Sequence, residues 1–537
     1  MSPLLLNLPP ATPRRAPPRR AAPGALYVPR ALLLALFAGV LVSSGPALAQ
    51  HRNPFALQPH EIRGLIHQVW TFRRAACAHA AQDLLVLSSV GAPPALEKRL
   101  TFMPCGAALV PGDPRIVERA LPAETGVVDV GMIPGRSGPQ VILASADGLR
   151  IESLLGDPAP RVIPVPGGIA LPPRPWDVSR IPILDDWHDL GPPSALVPAL
   201  HGGWLVDLTT GEARPLPMPV HATYRTWMPD LPEVEWQWMI QQVSWPSLGR
   251  ADDNGDGRLD LFALGRFEIY VYHAGPEGLP AEPSRKISFQ PFDEETEREP
   301  QTTATNYFAR DLDGDTRGDL MLSTISGGLS DGQSLTRIFL NPGDGAGVDG
   351  APAAERLVEE GFSTFTFVDV DGDGQDEILE ASIEFGVLQL VRFLLTRSTS
   401  TKIRVLRLDS RAAGGLRVLF EDDFAFKIDF AEGAIAGVIP NLGDWNGDGV
   451  KDFYLADGDD AITFRLGRIV DGVPVFGSTV SSQPLSLSSG QSLAADLDGD
   501  GLDEIVTFTT RTPDAPLLVL ENLGHLPGTR ASVAPAP

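Results

Sequence analysis

Cysteine is nearly absent from this chain of 537 residues: there are two, Cys77 and Cys105. A single disulfide in an oxidising compartment is the most they can supply, with two separate buried thiols as the alternative. Histidine is scarce as well, its nine copies scattered with no two at metal-ligand spacing. His188, within Asp185–Asp189 (DDWHD), therefore reads as part of a solvated turn and not as a transition-metal ligand. Positive charge is the minority sign, with 43 Lys and Arg against 68 Asp and Glu and a net charge of -25. A nucleic acid would be repelled by such a protein, so that class of partner is excluded. Long apolar runs are missing after residue 49, and no membrane span is expected in the mature chain.

Turn formers are abundant, with 54 Gly and 51 Pro beside 43% hydrophobic residues, which suits turn-rich β structure. The first 49 residues read as a secretory signal. Arg14, Arg15, Arg19, Arg20 and Arg30 form its basic region, Ala31–Val42 its apolar core, and Ala47-Leu48-Ala49 its cleavage site. An uncleaved anchor is the alternative, disfavoured because the apolar run falls short of the roughly 20 residues a span requires. The expected mature chain starts near Gln50, with 50–62 as a linker, 63–527 as the folded body and 528–537 as a flexible tail.

The stretch that organises the body is Asp369–Glu377 (DVDGDGQDE). Its cadence recurs in Asp252–Asp260 (DDNGDGRLD), Asp311–Asp319 (DLDGDTRGD), Asp444–Asp452 (DWNGDGVKD) and Asp496–Glu504 (DLDGDGLDE). Oxygen-bearing side chains at positions 1, 3, 5 and 9 of a tightly turning loop can converge on one point, which is what Ca2+ with its 6 to 8 oxygen ligands needs. The expected side-chain ligands are Asp252, Asn254, Asp256 and Asp260; Asp311, Asp313, Asp315 and Asp319; Asp369, Asp371, Asp373 and Glu377; Asp444, Asn446, Asp448 and Asp452; Asp496, Asp498, Asp500 and Glu504. Position 7 (Arg258, Arg317, Gln375, Val450, Leu502) would offer its backbone carbonyl, leaving its side chain free to vary. An EF-hand would need Glu at position 12 and a helix after the loop. Ala263, Leu322, Glu380, Leu455 and Thr507 stand there, within strand-like runs.

Those runs set the fold class. Each acidic loop leads at once into a short apolar strand, and the amino-terminal half repeats the same unit without the acidic series. The first strand residues are 83, 140, 195, 260, 319, 377, 452 and 504, at steps of 52 to 75 residues. Room for four short strands per unit, repeated eight times, predicts an all-β fold: a single β-propeller of four-stranded antiparallel blades, eight in number, with seven as the alternative count. The first and last strand segments, Leu65–Phe72 and Pro516–Leu520, are expected to share a blade and lock the ring. The longest step is read as holding an extra hairpin, Val387–Thr396 followed by Lys402–Leu408.

From about residue 245 to 525, the five loops, the strands directly after them and turns such as Asn341–Gly345 (NPGDG) resemble the FG-GAP and VCBS repeats of integrin α-subunit heads and secreted bacterial propellers. The resemblance implies calcium in a hairpin loop of each metal-bearing blade. Thr316 departs from the pattern where glycine is usual, so that site is expected to be strained or weakened. Dispersal of the loops over five units favours a structural metal over a catalytic one.

Two other features carry chemistry. Gly328–Gly332 (GLSDG) has the spacing of a nucleophile elbow but lies between strands, where a glycine-rich connector fits better. Tyr224, Trp227, Trp236 and Trp238 gather aromatic surface that could meet a sugar face or a protein partner, or fill the gap between blades, as Trp245 is expected to do. The reading is a monomeric binding or adhesion module, secreted or periplasmic, for an extracellular protein or glycan. A polysaccharide-lyase-like enzyme and a structural envelope component are the alternatives.

Overall fold

A run of four or five apolar residues in one strand leaves no polar face, so such a strand has to be covered on both sides. Most second strands meet this condition; in Glu377–Glu384 the run is broken by Glu380, which is buried and paired with Arg356 and Arg404. In Gln82–Val90, Leu84 and Val86 pack toward the sheet formed by the end of the chain, while Leu85 and Leu87 pack against the next sheet along. In Asp260–Leu264, Leu261 and Ala263 face the preceding sheet, and Phe262 and Leu264 face the following one. The two-residue period of a strand thus divides one hydrophobic run between two neighbours.

The computed structural model describes residues 54–529, except 78–80, 93–94, 157–158, 171–177, 192, 228–237, 294–295, 297–302, 328–331, 385–397, 430–433, 436–440, 458–460, 478–480, 484–489 and 527. Eight antiparallel four-stranded blades follow one another. Their second strands are Gln82–Val90, Pro139–Ser145, Ser194–Ala199, Asp260–Leu264, Asp319–Ser326, Glu377–Glu384, Asp452–Asp457 and Glu504–Thr509, so every position singled out above begins, or lies one residue inside, the second strand of its blade. Eight hydrophobic clusters join the blades, one for each interface, including the cluster of Leu84, Val86, Val506 and Val519 that joins blade 8 to blade 1. The molecule is an eight-bladed β-propeller. Burying each Leu, Val or Phe of these clusters contributes about 1.5–3 kcal/mol.

First strands of successive blades approach most closely. A Cβ on Gly249 of blade 4 would lie 3.0 Å from Ala309 Cβ of blade 5, and one on Gly443 of blade 7 would lie 3.0 Å from Ala494 Cβ of blade 8. Only glycine leaves room for that approach.

Closure uses a different segment from the one expected. Phe55–His60 pairs antiparallel with Leu517–Asn522 and forms the outer strand of blade 8, whereas Leu65–Arg73 opens blade 1. The stretch 50–62 is thus not a plain linker. Pro54 and Pro59 disguise the strand in the sequence, yet proline is tolerated on a sheet edge because the missing N–H faces away from the ladder. Of the hairpin expected in the long step after Glu377, Val387–Thr396 lies outside the described residues, and Lys402–Leu408 belongs to the third strand of blade 6, Ser398–Leu408, which pairs with Leu416–Asp429. Blade 7 carries a hairpin beyond its four strands, Gly467–Val470 against Val473–Phe476. No helix among the described residues is long and apolar enough to cross a membrane.

Candidate metal centres

All five acidic loops fold on themselves by the same hydrogen bonds. The carboxylate at position 1 accepts the N–H of position 4 on one oxygen and that of position 6 on the other. These pairs are Gly255 and Gly257 on Asp252, Gly314 and Thr316 on Asp311, Gly372 and Gly374 on Asp369, Gly447 and Gly449 on Asp444, and Gly499 and Gly501 on Asp496, at 2.6–3.2 Å. The Asp at position 5 accepts from the N–H of position 7, in Arg258, Arg317, Gln375, Val450 and Leu502, at 2.8–2.9 Å. The shared bond at position 7 uses the backbone N–H, which is why Arg, Gln, Val and Leu all serve there.

Position 9 ties each loop to its blade. Asp260, Asp319, Glu377, Asp452 and Glu504 are buried at the head of the second strand. Each accepts the N–H of position 2, from Asp253, Leu312, Val370, Trp445 and Leu497, at 2.8–3.0 Å. In four blades the second oxygen accepts an N–H from the end of the third strand, given by Ala274, Asn341, Gly467 and Asn522. In blade 6 the second oxygen of Glu377 meets Arg407 instead.

The donor set fits a hard cation. Carboxylate oxygens of Asp311, Asp313 and Asp315 lie within 4.8 Å of one another, as do those of Asp369, Asp371 and Glu377 and those of Asp496, Asp498 and Asp500. In blades 4 and 7 an amide oxygen replaces one carboxylate: Asn254 and Asn446 each share the N–H of position 5 with the Asp at position 1. Nitrogen and sulfur donors take no part, a choice that suits calcium over zinc or copper. Without a cation the loops hold their charge badly. Burial, with neighbouring carboxylates adding to it, pushes Asp319 and Asp452 up to about 7 and Asp500 to about 6. Burial likewise raises Asp260 to about 6 and lifts Glu504 well above the usual range.

The loops also bind blade to blade. Gly318 N–H in loop 5 donates to Asp252 O in loop 4 (2.7 Å), Lys451 N–H in loop 7 to Val370 O in loop 6 (2.8 Å), Asp503 N–H in loop 8 to Asp444 O in loop 7 (3.0 Å), and Gln82 N–H in blade 1 to Asp496 O in loop 8 (2.9 Å). Two asparagines reinforce this chain. Asn341 Nδ2 donates to Asp253 O and Asn522 Nδ2 to Trp445 O, each reaching from the end of a third strand into the loop of the preceding blade. The turn sequences NPGDG and ENLG were the signal for both, because an Asn side chain that accepts the N–H of a following Gly fixes such a turn.

The remaining sequence candidates fall elsewhere. Cys77 and Cys105 form a disulfide in blade 1, with Cα atoms 6.0 Å apart. His188 is not a free turn residue: its Nδ1 accepts the N–H of Leu279, between blades 3 and 4. Trp245 packs between the same two blades and donates Nε1–H to Gly202 O at 2.6 Å. Gly328–Gly332 falls between the strands Asp319–Ser326 and Gln333–Phe339, and its residues 328–331 lie outside the described residues. Tyr224, Trp227 and Trp238 lie on a two-stranded ribbon, His221–Trp227 with Trp238–Ser244, where Trp227 pairs with Trp238; Trp236 lies outside the described residues.

No protein-family model and no curated protein matches the chain. Among solved structures it is similar to the V. cholerae biofilm matrix protein Bap1, at 11% identity and TM-score 0.37 over 88% of this chain and 89% of that one. It is also similar to the Dos1 propeller (9%, 0.32, covering 87% and 96%) and to BBS1N in complex with ARL6DN (8%, 0.28, covering 74% and 92%). Likeness at this level carries no information about function.

Proposed function

We propose that the chain is an exported, calcium-stabilised β-propeller of the FG-GAP/VCBS kind that serves as a binding or adhesion module for an extracellular protein or glycan. The observation that carries this reading is the fivefold repetition of one hydrogen-bonded acidic loop, each copy at the head of its own blade and in contact with a neighbouring blade. A cation held there fastens blades together; it has no shared pocket in which to act on a substrate. The disulfide of blade 1 suits the oxidising, calcium-rich conditions outside a cell.

Metal bound in each loop would be held by the side-chain oxygens of positions 1, 3, 5 and 9, and it would supply charge neutralisation. The chain's own amides already shape the loop, so the ion completes a cradle that exists before it arrives. Recognition then falls to the remaining surface of a stiff ring. Binding to a glycan array in calcium, lost in chelator and restored by calcium, is the expected result. Turnover of an acidic polysaccharide by the purified protein would overturn the non-enzymatic reading.

A further inference from the structure

Loops 6 and 8 have the same residue type at every proposed side-chain ligand position, reading DVDGDGQDE and DLDGDGLDE. They differ in the side chain that faces position 9. The third strand of blade 6 pairs Leu406 with Ile378, which sets Arg407 opposite Glu377. In blade 8, Leu520 pairs with Ile505, which sets Glu521 opposite Glu504. By the same register the facing residue is His273 in blade 4, Leu340 in blade 5 and Leu466 in blade 7. His273 turns to Asp253, which occupies position 2 of its loop and is not a proposed ligand. Among the described residues, only blade 6 seats a permanent cation on several ligand carboxylates at once; in blade 5, Arg317 Nη1 lies 3.6 Å from Asp315 Oδ2 alone.

The guanidinium is seated among them. Arg407 Nη2 lies 2.8 Å from Asp371 Oδ2 and 3.6 Å from Asp373 Oδ2, and it also bonds to Glu377 Oε1; Nε donates to the same Glu377 oxygen at 2.8 Å. Positions 3, 5 and 9 are therefore all turned toward Arg407. Calcium requires oxygens at 2.3–2.6 Å around its centre. A nitrogen 2.8 Å from one ligand oxygen and bonded to another competes for the lone pairs such a cation would use, and its charge opposes a second cation. Blade 8 is the reverse case, since Glu521 adds negative charge beside Asp500.

We propose that Arg407 is a tethered substitute for the metal, so that the blade 6 loop is closed without calcium and the chain takes up four ions, not five. This rests on the calcium reading above and narrows it. Native mass spectrometry of the full folded chain equilibrated with calcium tests it by counting bound ions. The parent protein is expected to carry four and Arg407→Gln five. Asp373→Ala is expected to leave the count at four, whereas Asp500→Ala in blade 8, which removes a ligand oxygen outright, lowers it to three; this pair keeps the test decisive if Arg407→Gln fails to fold. Five ions on the parent, an unchanged count in Arg407→Gln, or loss of an ion in Asp373→Ala overturns the proposal while leaving the calcium reading standing. A parent that binds none removes both.

Discussion

Blades 1 and 8 sit side by side and solve one problem in two ways. Each must tie the connection between its first two strands to the end of its third strand, and each places a buried acid near the head of the second strand to do so. In blade 8, Glu504 accepts the N–H groups of Leu497 and Asn522, within a loop whose other acids form a proposed cation site. In blade 1, Asp83 accepts the N–H of Cys105 at 2.9 Å and pairs with Arg74, while the Cys77–Cys105 disulfide crosses the same gap covalently. In blade 2 the neutral Gln140 stands at this position, and its Nε2–H2 donates to the carbonyls of Ser137 and Gly138 within the connection itself. The position of the tie is shared by blades 1 and 8; its chemistry is interchangeable. Arg407 in blade 6 then belongs with Arg74 in blade 1, a guanidinium doing the work that calcium is proposed to do in blades 4, 5, 7 and 8.

Removing the metal should test this division most severely. Each site at tenfold excess calcium adds about 1.4 kcal/mol, so four sites together add about 6 kcal/mol, a large part of the net stability of a typical domain. Guanidinium unfolding in calcium and in EGTA measures the difference, and superimposable curves would break the comparison. A smaller loss of about 3 kcal/mol is expected for Cys77→Ser with Cys105→Ser. It should appear equally in calcium and in EGTA, because a covalent tie does not depend on the ion. If calcium abolished the loss, the two kinds of tie would not be independent.

pH sharpens the contrast further. Asp319 and Asp452 hold their protons up to about pH 7, far above the ordinary 3.8, because burial disfavours the charged form. The folded state therefore binds protons that the unfolded state releases. Their stabilising contribution is full below about pH 4 and is lost as pH rises through about 7. In EGTA the melting temperature should fall across that window; with saturating calcium, which needs the ionised carboxylates, the fall should flatten or reverse. A melting temperature that rises from pH 5 to 8 in EGTA would contradict this account.

The smallest effect concerns Thr316. Its φ of +74° matches Gly257, Gly374, Gly449 and Gly501 at the same position of the other loops, at +82° to +89°. A β-branched residue there costs about 1–2 kcal/mol. Thr316→Gly should raise stability by about 1 kcal/mol, read from the unfolding midpoint, and should tighten the loop 5 site. No gain would mean that the Thr316 backbone is relaxed where it stands.

Much of this was legible in the chain itself. An apolar run such as LLVL at Leu84–Leu87 has to be buried on both faces, and acids at alternate positions of a DxDGD loop repel one another, so strand, loop and repeat count all follow from local composition. The closing strand Phe55–His60 was hidden because two prolines and a lone pattern of six residues resemble a linker until a partner edge is known. The asparagines of NPGDG and ENLG were visible as turn residues, while their reach into the preceding blade was not. Arg407 was hidden for a related reason: it lies 30 residues after Glu377, and its distance in sequence says nothing of the register that brings it back.

Sequence alone determined which segments turn, which are covered on both faces and where oxygen donors gather, because those properties depend on residues within reach of one another along the backbone. Which acid meets an amide, a disulfide, a guanidinium or a free coordination site was decided only when strands from distant positions were placed side by side. Electrostatic energy depends on separation in space, and two loops with the same ligand residues acquire opposite neighbours, Arg407 and Glu521, once the third strand returns.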